Sequence, residues 1–287
     1  MPISTGLWIA IPDSALSEQE TKRDKSIMAS QIARACSIFR VTRIYIYHDK
    51  TSKFTKVDSN LLKILLNFLN TPPYLRKSVY PIMDQLQFSG ILNPIIAPHH
   101  KPIQELGDIK KGDLRIGLIV QRGGKIYADV GLKDLIIYKG SAKVNTILTL
   151  KFMSTYPHLY VIEAVAEDIG SNYWGYKVFE SADLTSLIKN HPNTLILFTS
   201  RSGVKFGHLE NHLLERLRSF QSILIVFGAP RRGLPEILKS EGNDIKSIKF
   251  VVNCFPMQGT KTVRLEEAIL GTLAITNHIF SRSGKLI

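Results

Sequence analysis

Residues 251–270 read VVNCFPMQGTKTVRLEEAIL, and the fold of the chain follows from this stretch. It has three parts. Residues 249–252 suit a short strand, and 253–260 suit a loop with Pro256 and Gly259. A helix follows. Glu266 and Glu267 fall in its first turn, where carboxylates suit the positive end of the helix dipole. Leu265, Ala268, Ile269 and Leu273 recur at spacings of three and four, which predicts a buried helix face. Two similar units lie upstream. Residues 194–198 (TLILF) run into 199–203 (TSRSG), and 223–227 (ILIVF) run into 228–233 (GAPRRG). The intervening segments, 208–220 and 235–241, have helical character. Apolar strands alternating with helices argue for a parallel sheet. In such sheets ligands bind in the crevice outside the carboxyl ends of the strands. A single Gly-bearing turn is an ordinary strand ending. Three in consecutive units, all at one sheet edge, favour a site.

The chain has 287 residues, enough for one large or two medium domains, and 44% of them are hydrophobic, enough for a sizeable core. No apolar run has the length of a membrane span, and the N-terminus lacks a basic-then-apolar leader. The expectation is a soluble, cytoplasmic protein. Two cysteines make no disulfide framework. Cys36 falls among apolar positions of a predicted helix and is assigned to the core. Cys254 lies in the site loop, without the basic partner a thiolate nucleophile needs. The net charge of +13 points to a polyanionic partner, because neutralising phosphates releases counterions. The positive charges are spread along the chain, with no dense cluster beside a lipidation signal. That favours nucleic acid over an acidic membrane, although charge does not separate RNA from DNA.

From the N-terminus, residues 7–11 (LWIAI) predict a strand, 24–39 a helix and 43–47 (RIYIY) a second strand. This strand–helix–strand unit suits a parallel sheet. A helix over 61–69 ends at Thr71-Pro72-Pro73. Near Gly90 the texture changes to short strand-like runs at 114–121, 125–130, 135–138, 145–152 and 159–165. Gly123-Gly124 between the first two reads as a hairpin turn. Five short strands without a long helix suit a small barrel of the OB type. The strand–helix rhythm resumes at Leu195. The predicted architecture is therefore an α/β parallel-sheet domain in two parts, 1–90 and 167–287, interrupted by an all-β insert at 91–166. The tail 281–287 reads as frayed.

Motifs across nearly the whole chain now carry a resemblance. IVFGAPRRGL and VNCFPMQGTKTVRLEEAIL resemble the second and third signature loops of SPOUT methyltransferases. Pro98-His99-His100, the YWGY of 173–176, the TS-x-x-G of 199–203 and the P-x-QG-x-x-T-x-R-x-EEA of 256–268 resemble the subgroup with an OB-like insert. The last motif is long and specific; the first two alone are weak. The resemblance implies an S-adenosylmethionine-dependent RNA methyltransferase with a knotted α/β domain, an OB-like RNA-binding insert and a homodimeric assembly. It also implies that the cofactor lies across three segments: Thr199, Ser200, Ser202 and Gly203; Gly228, Pro230 and Gly233; Asn253, Phe255, Pro256, Gln258, Gly259 and Thr262.

The residues themselves fit such a ligand. Glycines at 228, 233 and 259 let backbone approach an adenine closely. Side chains of Thr199, Ser200, Asn253 and Thr262 offer hydrogen bonds. The dinucleotide fingerprint G-x-G-x-x-G and the P-loop are absent. A sulfonium already activates its methyl group, so the enzyme's task is alignment, plus removal of a proton from an oxygen or nitrogen acceptor. Arg264 is the candidate catalytic group, placed to stabilise a developing anion. The competing reading pairs it with Glu267 on the helix surface. Arg231 and Arg232 suit RNA phosphates, or simply a solvated loop. His99 and His100 are adjacent; in an extended segment they would face opposite ways, and no Cys/His set at zinc spacing accompanies them, so no metal is expected. Tyr173, Trp174 and Tyr176 fit a core better than a stacking platform. Lys101, Lys110, Lys111, Arg115, Arg122, Lys125, Lys133 and Lys139 give the insert a basic character suited to RNA. The alternative to an enzyme is a non-catalytic RNA-binding protein that keeps the fold.

Overall fold

The computed structural model describes residues 6–52, 56–102, 104–217, 219–230, 232–245 and 248–282. In chain order the elements are β1 (Gly6–Pro12), α1 (Lys22–Ile38), β2 (Arg43–Tyr47), α2 (Lys56–Asn70) and α3 (Pro73–Val79). Then come β3 (Leu114–Arg122), β4 (Lys125–Asp129), β5 (Ile136–Tyr138), β6 (Ile147–Phe152), β7 (Tyr160–Glu163) and α4 (Ala166–Ile169). The last group is β8 (Lys177–Ser181), α5 (Leu184–Lys189), β9 (Thr194–Lys205), α6 (Phe206–Leu217), β10 (Ser222–Val226), α7 (Leu234–Ser240), β11 (Val251–Asn253) and α8 (Leu265–Arg282). Among the described residues no helix is long and apolar enough to cross a membrane.

Two compact units are present. One comprises residues 1–69, 85–95 and 175–287; the other comprises 70–84 and 96–174. The first holds a six-stranded sheet in the order β11-β9-β10-β1-β2-β8, with every neighbouring pair parallel. Alternation along the strands sets its two faces. Ala10, Tyr45 and Val226 stand in register and pack with Leu184, Leu187, Leu234 and Ile237 from α5 and α7. Ile9, Ile44 and Ile225 alternate with them and are also buried, as expected of a parallel sheet covered on both faces. Helices α1 and α8 lie against each other, and Cys36, Ile269 and Leu273 are buried on them. Helix α1 starts where Thr21 caps it by accepting from the Asp24 N–H at 3.1 Å.

The second unit contains a closed barrel in the order β3-β4-β5-β7-β6, in which β5 and β7 run parallel and the other pairs antiparallel. Ile119, Ala128, Ile136, Leu150, Phe152 and Val161 fill it. The expected five-stranded barrel is thus present. At the β3–β4 turn, Gly123 and Gly124 have φ of +56° and +77°, which accounts for the glycine pair. Arg115 corrects the basic list. It is fully buried, donating to the Val130 and Pro102 carbonyls and to Gln104 Oε1, with its guanidinium over Tyr74. It ties Pro102 and Gln104 to the barrel and is not surface charge. Lys110, Lys111, Arg122, Lys125, Lys133 and Lys139 are exposed.

The histidine pair also differs from expectation. Residues 97–100 form a turn, closed by the His100 N–H on the Ala97 carbonyl, so the two rings do not diverge. Their centroids lie 4.3 Å apart, and both Nε2 atoms reach the carbonyl of Asn70, at 3.2 and 3.0 Å. His99 is buried and its Nδ1 has no partner. Burial, then the neighbouring His100, push its pKa down to about 4 from 6.5. The unfolded chain therefore takes up this proton first. Stability is complete above pH 6.5 and falls as the pH drops toward 4, by about 3 kcal/mol. Urea midpoints of the wild type should decline over that range more steeply than those of His99→Gln; parallel declines would exclude His99 as the titrating group. Tyr173 and Tyr176 are buried, in line with a core role, and Tyr176 donates to the Leu66 carbonyl at 2.8 Å.

Candidate active site

The candidate site lies at the carboxyl edge of the parallel sheet, where β9, β10 and β11 end. One expectation changes here. Residues 199–203 are not a loop, because β9 continues through them to Lys205. Strand β11 pairs first beside Phe198 and then, after a register shift, beside Val204 and Lys205. This crossing accounts for Gly203. A Cβ there would stand 2.6 Å from the Val252 carbonyl carbon and 2.8 Å from Val251 O.

The three segments converge on an open cavity of about 530 Å³. Thr199, Ser200 and Ser202 line one wall; Gly228, Pro230 and Gly233 a second; Asn253, Phe255, Gln258 and Thr262 a third. Gly203, Pro256, Gly259 and Arg264 are not among the lining residues. A Cβ on Gly228 would lie 3.2 Å from the Leu234 nitrogen and 3.3 Å from the Arg232 oxygen, a close backbone approach. A Cβ on Gly259 would meet nothing within 4 Å.

Much of the polar lining is spent on holding the segments together. Thr199 Oγ1 donates to the Val226 carbonyl at 2.9 Å, and Ser200 and Ser202 bond each other at 3.0 Å. Asn253 uses both ends of its amide. Nδ2 donates to the Arg201 carbonyl at 2.8 Å, and Oδ1 accepts from the Phe255 N–H at 2.8 Å. Arg201 Nη1 reaches the Lys261 carbonyl at 3.2 Å, and Gln258 Nε2 reaches that of Thr260 at 2.9 Å. The Phe255 ring rests where a Cβ on Gly271 would stand, 2.4 Å from the nearest ring carbon. These bonds preorganise the cavity.

Sequence reasoning missed the floor. Leu265, Ala268 and Thr272 line the cavity from one face of α8. Spacing assigns Leu265 and Ala268 to the core, and Thr272, one helical turn further on, is not singled out by it. Ala268 is only half-buried. Thr272 is buried, and its hydroxyl, beside the Cys254 thiol, lacks a well-formed hydrogen bond. Arg201, Arg232 and Lys261 put positive charge on the lining, and Glu236 is the one carboxylate there among the described residues. Arg231 lies outside the described residues. Arg264 is exposed between the lining residues Val263 and Leu265. The Glu267 carboxylate accepts from the backbone N–H of Arg264 at 2.9 Å, so it caps its own helix. Glu266 is half-buried, and burial raises its pKa. Burial pushes the Cys254 thiol up to about 11, so it stays protonated at neutral pH and is no nucleophile. No cluster of three or more potential metal ligands occurs among the described residues.

Fold and cavity together define an α/β protein with a ligand-sized cleft at the carboxyl edge of a parallel sheet, combined with a five-stranded barrel. More particularly, the chain belongs to the family described as "Putative RNA methyltransferase", which matches residues 6–276. It is 29% identical over 311 residues to a 28S rRNA (uridine-N(3))-methyltransferase of Drosophila melanogaster, covering 95% of this chain and 62% of the fly protein. The protein of the same description from Homo sapiens is 28% identical, over 93% of this chain and 77% of its own length. An uncharacterized protein of Haloarcula marismortui is 27% identical, over 92% of this chain and 96% of its own. The chain thus spans less than two thirds of the fly relative. Membership of a methyltransferase family implies a methyl donor.

Proposed function

We propose that this chain transfers a methyl group from S-adenosylmethionine to N3 of a uridine in ribosomal RNA. The carrying observation is that the three motif segments, far apart in sequence, line one cavity. Its volume of about 530 Å³ falls in the range of small-molecule sites. The fit is chemical as well. Gly228 lines the cavity with bare backbone that an adenine can approach, while its Cβ position is closed by backbone of Arg232 and Leu234. The Thr272 hydroxyl and the Thr262 side chain offer hydrogen bonds inside it. When bound, the donor supplies a methyl already activated by its sulfonium.

The chain's own residues then bind and align. Gly228, Pro230, Gly233, Phe255 and Gln258 enclose the donor. Arg232 and Lys261 attract RNA phosphate. Arg264, exposed beside the cavity without an ion pair among the described residues, offsets the charge that develops on the uracil as its N3 proton leaves. Residues 91–166 serve as the RNA-binding insert through Lys110, Lys111, Arg122, Lys125 and Lys133. The threading of β11 beyond β9 belongs, in this reading, to a trefoil knot, and the active form is a cytoplasmic homodimer. The relatives' descriptions support the acceptor atom, and the basic charge supports an RNA partner.

Calorimetry with S-adenosylmethionine, followed by label transfer to large-subunit rRNA and nucleoside mass mapping, tests the proposal. Donor binding and 3-methyluridine are expected. Donor binding with no transfer to any RNA would instead identify a non-catalytic RNA-binding protein.

A further inference from the structure

Removing the uracil N3 proton calls for a base, and the cavity lining contains only one carboxylate, Glu236, among the described residues. A second polar cluster stands at the same sheet edge, where β1 and β2 end. His48 Nδ1 and Asp13 Oδ2 are 2.5 Å apart. The His48 side chain is 52% exposed and that of Asp13 only 20%. A carboxylate accepts, so Nδ1 donates to Asp13 and Nε2 is the ring nitrogen left for another partner. The pair is rigidly mounted. The Asp13 N–H donates to the Tyr47 carbonyl at 2.8 Å, and Asp13 Oδ1 accepts from the Asp49 N–H at 3.1 Å. Buried Asp49 in turn accepts from the Thr51 N–H at 2.9 Å and from its hydroxyl.

Two hydrogen bonds tie this cluster to residues that line the cavity. Arg232, a lining residue, donates from Nη1 to the Thr51 carbonyl. Tyr47 donates to the carbonyl of Phe227, another lining residue, at 2.7 Å. The sheet register pairs Val226 with Ala10 and Pro12 with Tyr47. Asp13 and His48 directly follow the last pair of β1 and β2. At about 5 Å per strand, β2 runs roughly 10 Å from β10, with β1 between them.

We infer that His48, oriented by Asp13, is the general base of the reaction. The inference rests on the methyltransferase reading above. The N3–H proton passes to His48 Nε2. The N3 lone pair forms the new N–C bond to the methyl, and the C–S bond breaks with its electrons left on sulfur. The product is a neutral thioether, and the proton remains as an imidazolium paired with Asp13. Asp13 is a positioning residue. The other charged groups around the pair are Asp49 and Lys50 on its own segment, with Lys50 engaged by Asp183 at 2.6 Å, Glu241 at the end of α7, and Arg232.

The test is His48→Asn, which keeps a donor toward Asp13 and removes the basic nitrogen. Single-turnover transfer to rRNA at saturating S-adenosylmethionine should fall by about a hundredfold or more at neutral pH. The gap should close as the pH rises and the uracil N–H ionises unaided. Donor affinity by calorimetry should be unchanged. An unaltered rate, or the same fractional loss at every pH, would overturn the role of His48 while leaving the methyltransferase reading intact. A wild-type chain that binds the donor and methylates no uridine would overturn both.

Discussion

Gly228→Trp is expected to lose at least a hundredfold in S-adenosylmethionine affinity, about 2.8 kcal/mol, with little change in melting temperature. Even a methyl group here stands 3.2 Å from the Leu234 nitrogen and 3.3 Å from the Arg232 oxygen. Backbone closes that side, so an indole forces the segment after β10 to shift and reshapes the cavity that Gly228 lines. The fold survives because the loop is not what holds β10 and α7. Leu224, Val226, Leu234 and Ile237 do that, and all are buried in one cluster. Calorimetry measures the affinity and circular dichroism the fold. A variant that binds the donor as tightly as the wild type would remove the pocket from this cavity.

Gly203→Val should act on stability instead. The added carbon meets backbone of β11 at 2.6 and 2.8 Å, and backbone in a sheet cannot rotate aside as a side chain does. Overpacking of this kind costs about 3 kcal/mol. That corresponds to a melting temperature lower by roughly 6–12 °C. Donor binding should weaken as well, because β11 delivers Asn253 and the third wall. Gly259→Ala is the control. Its new methyl meets nothing, and stability should stay within about 0.5 kcal/mol of the wild type. Equal melting temperatures for Gly203→Val and Gly259→Ala would refute the packing argument.

The legible parts of the fold were those written in local spacing. Strands β2 and β10 are runs of β-branched and aromatic residues, and α1 shows its apolar face at helical period. The barrel strands were visible through short runs between turns. Strand β8 was missed because it is an edge strand with an exposed, mixed pattern, KVFES, that only pairing with β2 makes a strand. The 199–203 segment was misread because Gly203 looks like a turn, whereas here it makes room for a neighbouring strand. Arg115 looked like surface charge because sequence does not tell whether an arginine meets water or carbonyls.

The order of residues alone specified the parallel sheet with its barrel insert and the three segments that carry the motifs. It could do so because side-chain period and turn chemistry are set by covalent spacing along the chain. That Thr272 floors the cavity and that Asp13 meets His48 comes from packing between distant parts of the chain. Those meetings depend on strand order and register, which bring together residues 35 positions apart or more and leave no period behind in the sequence.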